Sequence, residues 1–141
     1  MLNNRKQLEQ LTKRARDIMH KTGIEALAKR EVTEVSGGQL QRVGICRALM
    51  SEPKVIFGDE PTGALNSKSA NEIMDLFSEI YAEGTTIVLV THDIKVAART
   101  ERVLFMSDGR IVDELRLPKA SKGNLEEQID LVTAKKRELE I

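Results

Sequence analysis

The sequence predicts an α/β fold, a parallel sheet with flanking helices, and three observations carry that expectation. Val55-Ile56-Phe57 and Thr86-Ile87-Val88-Leu89-Val90 are short, almost continuously apolar runs bounded by Pro53, Gly58 and Gly84, as strands buried on both faces are. Between them, Ser67 to Ala82 places Ile73, Leu76, Phe77 and Ile80 on one helical face. After them, Asp108-Gly109 separates two β-patterned runs, a hairpin signal because both residues tolerate positive φ. Strand, helix and strand in that order make a βαβ unit, whose strands run parallel.

The remaining elements follow from periodicity and punctuation. From Leu2 to about Met19, the residues Leu8, Leu11, Ala15, Ile18 and Met19 recur at helical spacing, and Gly23 supplies the stop. Residues 24–35 read as irregular or weakly helical. Ser36-Gly37-Gly38-Gln39 opens a second helical pattern that runs to about Met50 and is ended by Pro53. A short helix over about 94–100 leads to a strand at Arg102–Met106 and its hairpin partner at about 110–115. Beyond Pro118 the chain turns to Lys, Glu and Gln around a sparse apolar stripe of Leu125, Ile129 and Val132, which predicts a solvated helix of low stability. The organisation expected is a helical segment (1–52), an α/β core (53–117) and a polar tail (118–141).

Composition bounds the function. The 141 residues have 40% hydrophobic and 31% charged side chains, as ordinary globular domains do. Lys+Arg and Asp+Glu are equal at 22 each, so no net field favours nucleic acid, and no nucleic-acid partner is expected. A single cysteine, Cys46, excludes an intrachain disulfide and fits a reducing compartment; on its helix it reads as packing. No apolar run approaches a membrane span. The expectation is a cytoplasmic chain that reaches any membrane process through a partner.

Ser36 followed by Gln39 is a capping box, which satisfies backbone donors at a helix start. That pattern does not account for Gly37 and Gly38, each costing about 0.5–1 kcal/mol in a helix relative to Ala. Bare N–H groups at a helix N-terminus also attract phosphate. The four residues alone leave cap and phosphate contact equally open.

The continuation decides between them. Val35-Ser36-Gly37-Gly38-Gln39-Leu40-Gln41-Arg42-Val43-Gly44-Ile45-Cys46-Arg47-Ala48-Leu49 resembles the signature motif and helix of ABC-type ATPases. Val55-Ile56-Phe57-Gly58-Asp59-Glu60-Pro61-Thr62 resembles the family's Walker B strand, with Gly58 where the family prefers an apolar residue. Gly63-Ala64-Leu65-Asn66-Ser67 resembles its D-loop, with Asn66 at the acidic position, and Val90-Thr91-His92-Asp93 its switch region. The resemblance spans about residues 5–117. It implies a P-loop NTPase-like fold, with residues 1–52 as part of the helical subdomain and its signature helix.

Roles follow by the same resemblance. Ser36, Gly37, Gly38, Gln39 and Asn66 would contact ATP, and Asp59 would hold Mg²⁺ through water. Glu60 would polarise the attacking water, and a neutral His92 would hydrogen-bond the γ-phosphate. Partners implied are a second ATPase subunit, sharing composite ATP sites, and a membrane permease that would hold the chain at the inner face of the cell membrane. Asp59 to Leu65 resembles the exporter and lipoprotein-release branch. Residues 66–69, 95–102 and 104–106 resemble bacitracin-type antimicrobial-peptide resistance transporters of Gram-positive bacteria. His20 has no partner motif and is given no role.

One family motif is missing from these residues. A phosphate-binding loop needs Gly-x4-Gly-Lys-Ser/Thr. Among the nine glycines only Gly58 and Gly63 have that separation, and Ala64-Leu65 follows them. The expectation is therefore an incomplete domain lacking its N-terminal P-loop half, and a chain that does not hydrolyse ATP alone. Its alternatives are a truncated transport ATPase, a non-enzymatic half that lends its signature motif to another subunit or titrates it, and a soluble ABC protein without a permease. The match at 95–106 disfavours the last.

Overall fold

The computed structural model of the chain describes residues 2–119 and 123–141. Its elements are α1 (Leu2–Lys21), α2 (Gly37–Leu49), β1 (Val55–Asp59), α3 (Ser67–Ala82), β2 (Thr86–Val90), α4 (Ile94–Ala97), β3 (Arg102–Ser107), β4 (Arg110–Arg116) and α5 (Leu125–Glu138). Single 3-10 turns at Glu25–Leu27 and Val32–Glu34 occupy the stretch expected to be irregular or weakly helical. The chain divides into two units, Met1–Leu89 and Val90–Ile141.

In the first unit each long helix stops as its sequence dictates. Gly23 takes φ +69°, its N–H reaches His20 O at 3.0 Å and the Ile24 N–H reaches Met19 O at 2.9 Å. This is a Schellman end, and Ile24, just past the glycine, is 2% exposed. Gly84, at φ +104°, ends α3 with the same bond pattern to Tyr81 and Ile80. Helix α3 buries Ile73, Met74, Leu76, Phe77 and Ile80, which includes the whole face that the sequence marked. It connects β1 to β2, which pair side by side as a parallel two-stranded sheet.

The two strands are not buried on both faces, contrary to the sequence reading. Burial alternates along each: Ile56 is 7% exposed, whereas its neighbours Val55 and Phe57 are 40% and 78% exposed, and Val88 is 39% exposed. Successive side chains point to opposite faces of a strand. Among the described residues only one of those faces is covered.

In the second unit β3 and β4 form the expected antiparallel hairpin, closing at Ser107 and Arg110. Asp108 and Gly109 both adopt positive φ, +50° and +74°, as a two-residue type I′ turn requires. A bulge lies between Phe105 and Met106. The helix expected to be solvated is instead half sunk into this unit. Val132 of α5 joins Ala98, Phe105 and Leu117 in one buried cluster, with Leu125 and Ile129 packed against it. Gln128 is also buried, and its Nε2 donates to the Pro118 carbonyl at 2.5 Å. The sparse stripe was sufficient because the hairpin and α4 offer a complementary apolar surface.

Charges fasten the outside of the same contact. Lys135 Nζ lies 3.1 Å from both Asp113 on β4 and Glu138. Glu114 takes Arg102 at 2.8 Å and Arg116 at 2.9 Å. The Glu114 backbone N–H and then Lys135 hold the Asp113 carboxyl below its ordinary pKa, and Arg102 does so for Glu114. Among the described residues no helix is long and apolar enough to cross a membrane.

Candidate functional site

The first-unit motifs meet where two helices begin. Ser36 caps α2: its Oγ accepts the Gln39 N–H at 3.3 Å, and Gln39 Oε1 accepts the Ser36 N–H at 2.9 Å. The capping box is therefore formed. Asn66 caps α3 in the same way, its Oδ1 accepting the Ser69 N–H at 2.9 Å. Both residues do what a cap does, whatever else approaches them.

The glycines that capping leaves unexplained have different surroundings. A Cβ on Gly38 would lie 3.2 Å from Ser69 Cβ and 3.3 Å from Ser69 Oγ, so Gly38 lets the first turns of α2 and α3 approach closely. A Cβ on Gly37 would meet only Leu65 Cδ2, at 3.5 Å. Ser36 and Gly37 are exposed. The packing of α3 thus accounts for Gly38, and Gly37 remains a bare, exposed backbone position.

From the end of β1 the chain reaches this junction through tight turns. Asp59 ends the strand with an exposed side chain. Glu60 then takes the left-handed region, φ +44°, a conformation that costs a non-glycine residue roughly 1–3 kcal/mol and is concentrated at functional sites. The Gly63 N–H donates to Glu60 O at 3.1 Å and the Leu65 N–H to Thr62 O at 3.0 Å, with Pro61 and Thr62 buried. Strand alternation and this twist give Asp59 and Glu60 different environments, the first exposed and the second partly buried.

Gly58 has a local reason as well. A Cβ there would stand 2.9 Å from Leu89 Cδ2 on β2. The small residue just before the carboxylates makes room for a large one on the adjacent strand.

His92 belongs to the second unit and is exposed there. It follows β2 in a turn in which Thr91 Oγ1 accepts the Asp93 N–H at 3.0 Å. Asp93 in turn caps α4, accepting the Lys95 N–H at 2.7 Å. The structure therefore brings together Ser36, Gly37, Gly38, Gln39 and Asn66, joins Asp59 and Glu60 to them by a short turn-rich segment, and places His92 in the second unit.

Two side chains that the sequence did not single out complete the junction. Arg42 of α2 donates to the Thr22 carbonyl and to Glu72 of α3, both at 3.0 Å. Nothing in a single sequence marks a pair of this separation. Cys46 lies near Thr22 and is buried; burial pushes its thiol up, which keeps it neutral and agrees with a packing role.

Among the described residues no group of three or more His, Cys, Asp or Glu could hold a metal ion. Mg²⁺ is commonly held by one or two carboxylates together with phosphate oxygens. Asp59, exposed at a strand end, fits one such contact to a metal that arrives with nucleotide. It does not fit an all-protein metal cage.

The proteins to which this chain is similar are ABC transporter proteins. Residues 1–63 match the family model for ABC transporters. The probable export ATP-binding/permease protein MacB of Pseudomonas entomophila is 50% identical over 103 residues, which cover 73% of this chain and 15% of that protein. The chain is homologous to ABC transporter ATP-binding domains. The ABC transporter ATP-binding protein YvrO of Bacillus subtilis is 42% identical over 112 residues, 79% of this chain and 49% of the relative. The ADP-conformation crystal structure of MJ1267, an ATP-binding cassette of an ABC transporter, superposes with TM-score 0.79 and 29% identity over 93% of this chain and 49% of that one. The chain thus spans at most about half the length of these ATP-binding relatives.

Proposed function

We propose that this chain forms the signature- and carboxylate-bearing part of an ABC transporter ATPase, and that Ser36, Gly37, Gly38 and Gln39 serve the nucleotide of a second subunit. The observation that carries this is the junction of two capped helix N-termini with Ser36 and Gly37 exposed. Helix starts present N–H groups and positive dipole ends to anions. Asn66, neutral where the family has an acid, adds no repulsion toward phosphate.

Mg-ATP, when bound, supplies the reactive γ-phosphoryl group and the charge-neutralising metal. Within this reading Asp59 contributes one carboxylate to the metal through water, and Glu60 orients and polarises the attacking water. His92, as the neutral imidazole, donates to or accepts from the γ-phosphate region. The partners are a second ATPase subunit and a membrane permease, which would hold the chain at the cytoplasmic face. The resemblance around residues 95–106 favours export of an antimicrobial peptide, and the export protein named above supports the export direction.

A second reading has its own support. No Gly-x4-Gly-Lys-Ser/Thr occurs in these 141 residues, so on their own they lack the backbone cradle that fixes phosphate. They would then lend the signature motif to a complete ATPase subunit, or titrate it, without turning over ATP. One experiment addresses both. The purified chain is titrated with labelled Mg-ATP and then mixed with a full-length homologous subunit. We expect no low-micromolar binding by the chain alone, a changed ATPase rate in the mixture, and loss of that change in Ser36→Arg. Tight binding with turnover by the chain alone would overturn the lending reading. An unchanged rate at excess chain would overturn the role assigned to Ser36–Gln39.

A further inference from the structure

Arg42 stands the same distance past the Ser36 cap of α2 as Glu72 stands past the Asn66 cap of α3. The contacts Gly38–Ser69 and Arg42–Glu72 occur in the same order along both helices. The two helices therefore start side by side and run in the same direction through their first turns. That arrangement sets two positive dipole ends against each other, which is unfavourable unless something offsets it.

The attraction that offsets it comes from the Glu72 carboxylate and the carbonyl end of α1, both of which Arg42 gathers. Its Nη2 meets Glu72 Oε2 at 3.0 Å, and its Nη1 meets the Thr22 carbonyl at 3.0 Å. Thr22 is fully buried and follows the last residue of α1, where carbonyls have no helical partner. A cation there also complements the negative end of α1. The Arg42 side chain is 21% exposed and that of Glu72 46%, so solvent screens the ion pair as it does other surface pairs, and the bond to the Thr22 carbonyl is the more sheltered of the two.

We propose that Arg42 is the positioning residue of the Ser36–Gly38 segment. Its planar fork ties the end of α1 and the flank of α3 to α2, and so fixes how the two helix starts are presented together. A lysine, with a single charge point, cannot make both contacts with the same geometry. The functional part of this proposal rests on the reading above that Ser36–Gly38 meet nucleotide; the positional part does not.

The test uses amide hydrogen exchange, read by NMR on the 141-residue chain, for Glu72→Gln and Arg42→Gln. Arg47→Gln, an exposed arginine of the same helix, is the charge control. Exchange at the Gln39 and Ser69 N–H groups is expected to speed up roughly three- to tenfold beyond any change shared by the other α2 and α3 amides. Glu72→Gln keeps the experiment decisive if Arg42→Gln fails to fold, since it leaves the arginine in place. The proposal is overturned if Gln39 and Ser69 behave as in Arg47→Gln, or change only in step with global unfolding. In the mixed ATPase assay Glu72→Gln should weaken the effect of the chain at equal folded concentration; an undiminished effect, despite faster exchange, overturns the functional part. A silent wild-type chain in that assay overturns the role of Ser36–Gln39, while the exchange data still decide the positioning.

Discussion

Gly38 and Gly44 lie on the same helix and differ in what surrounds them. A Cβ on Gly38 would press on Ser69, whereas a Cβ on Gly44 would meet nothing within 4 Å. Gly44→Ala should therefore stabilise the chain by about 0.5–1 kcal/mol, the ordinary helical gain over glycine. Gly38→Ala should lose that gain and cost about 1 kcal/mol more, because the close helix contact must open. Urea midpoints for the two variants check the opposite signs. At this scale the sequence was informative wherever the cause was local. Ser36 with Gln39 announced the cap of α2 because capping involves residues three apart. The pairing of Arg42 with Glu72 and the fit of Gly58 beneath Leu89 were invisible, since each depends on how separate elements come together. The left-handed backbone of Glu60 was hidden for a different reason: glycine, asparagine and aspartate announce that conformation, and glutamate does not.

Helix α5 shows how an element can be read correctly in type and wrongly in environment. Its apolar stripe is short, and Gln128 on the buried side looks polar in the sequence. Yet Gln128 satisfies its donor on the Pro118 carbonyl while Val132 enters the cluster. The outer edge of the contact is ionic, so it should respond to pH. Asp113 and Glu114 titrate below their ordinary values, so their contribution is present above the unfolded carboxylate pKa of about 4 and is lost as pH falls through the depressed folded values. Lys135 is shifted up by Asp113 and Glu138, so its share is complete below its unfolded pKa of about 10.4 and fades as pH rises past it. Val132 methyl signals followed by NMR from pH 7 to pH 3 should show α5 loosening in acid, and Asp113→Asn should weaken that dependence. An identical acid profile in the variant would remove Asp113 from the account.

At the scale of the molecule, the βαβ unit and the hairpin were legible because apolar runs, glycine stops and the Asp-Gly turn all agreed. The coverage of the sheet was not. A continuous apolar run implies two covered faces, and the described residues cover one, leaving Val55, Phe57 and Val88 exposed in the first unit. Exposed apolar strand residues promote association. Phe57→Ser should therefore reduce self-association in sedimentation velocity while changing stability by no more than about 0.5 kcal/mol. A large loss of stability would show that Phe57 is covered in solution. The burial of Val132 also orders the chain's assembly in time. The buried residues of the first unit have all been synthesised by Ile80, so that unit can compact early. Ala98, Phe105 and Leu117 leave the ribosome well before Val132 does, and their cluster stays open until α5 follows. The nascent second unit must wait, partly unfolded, for the last helix described here.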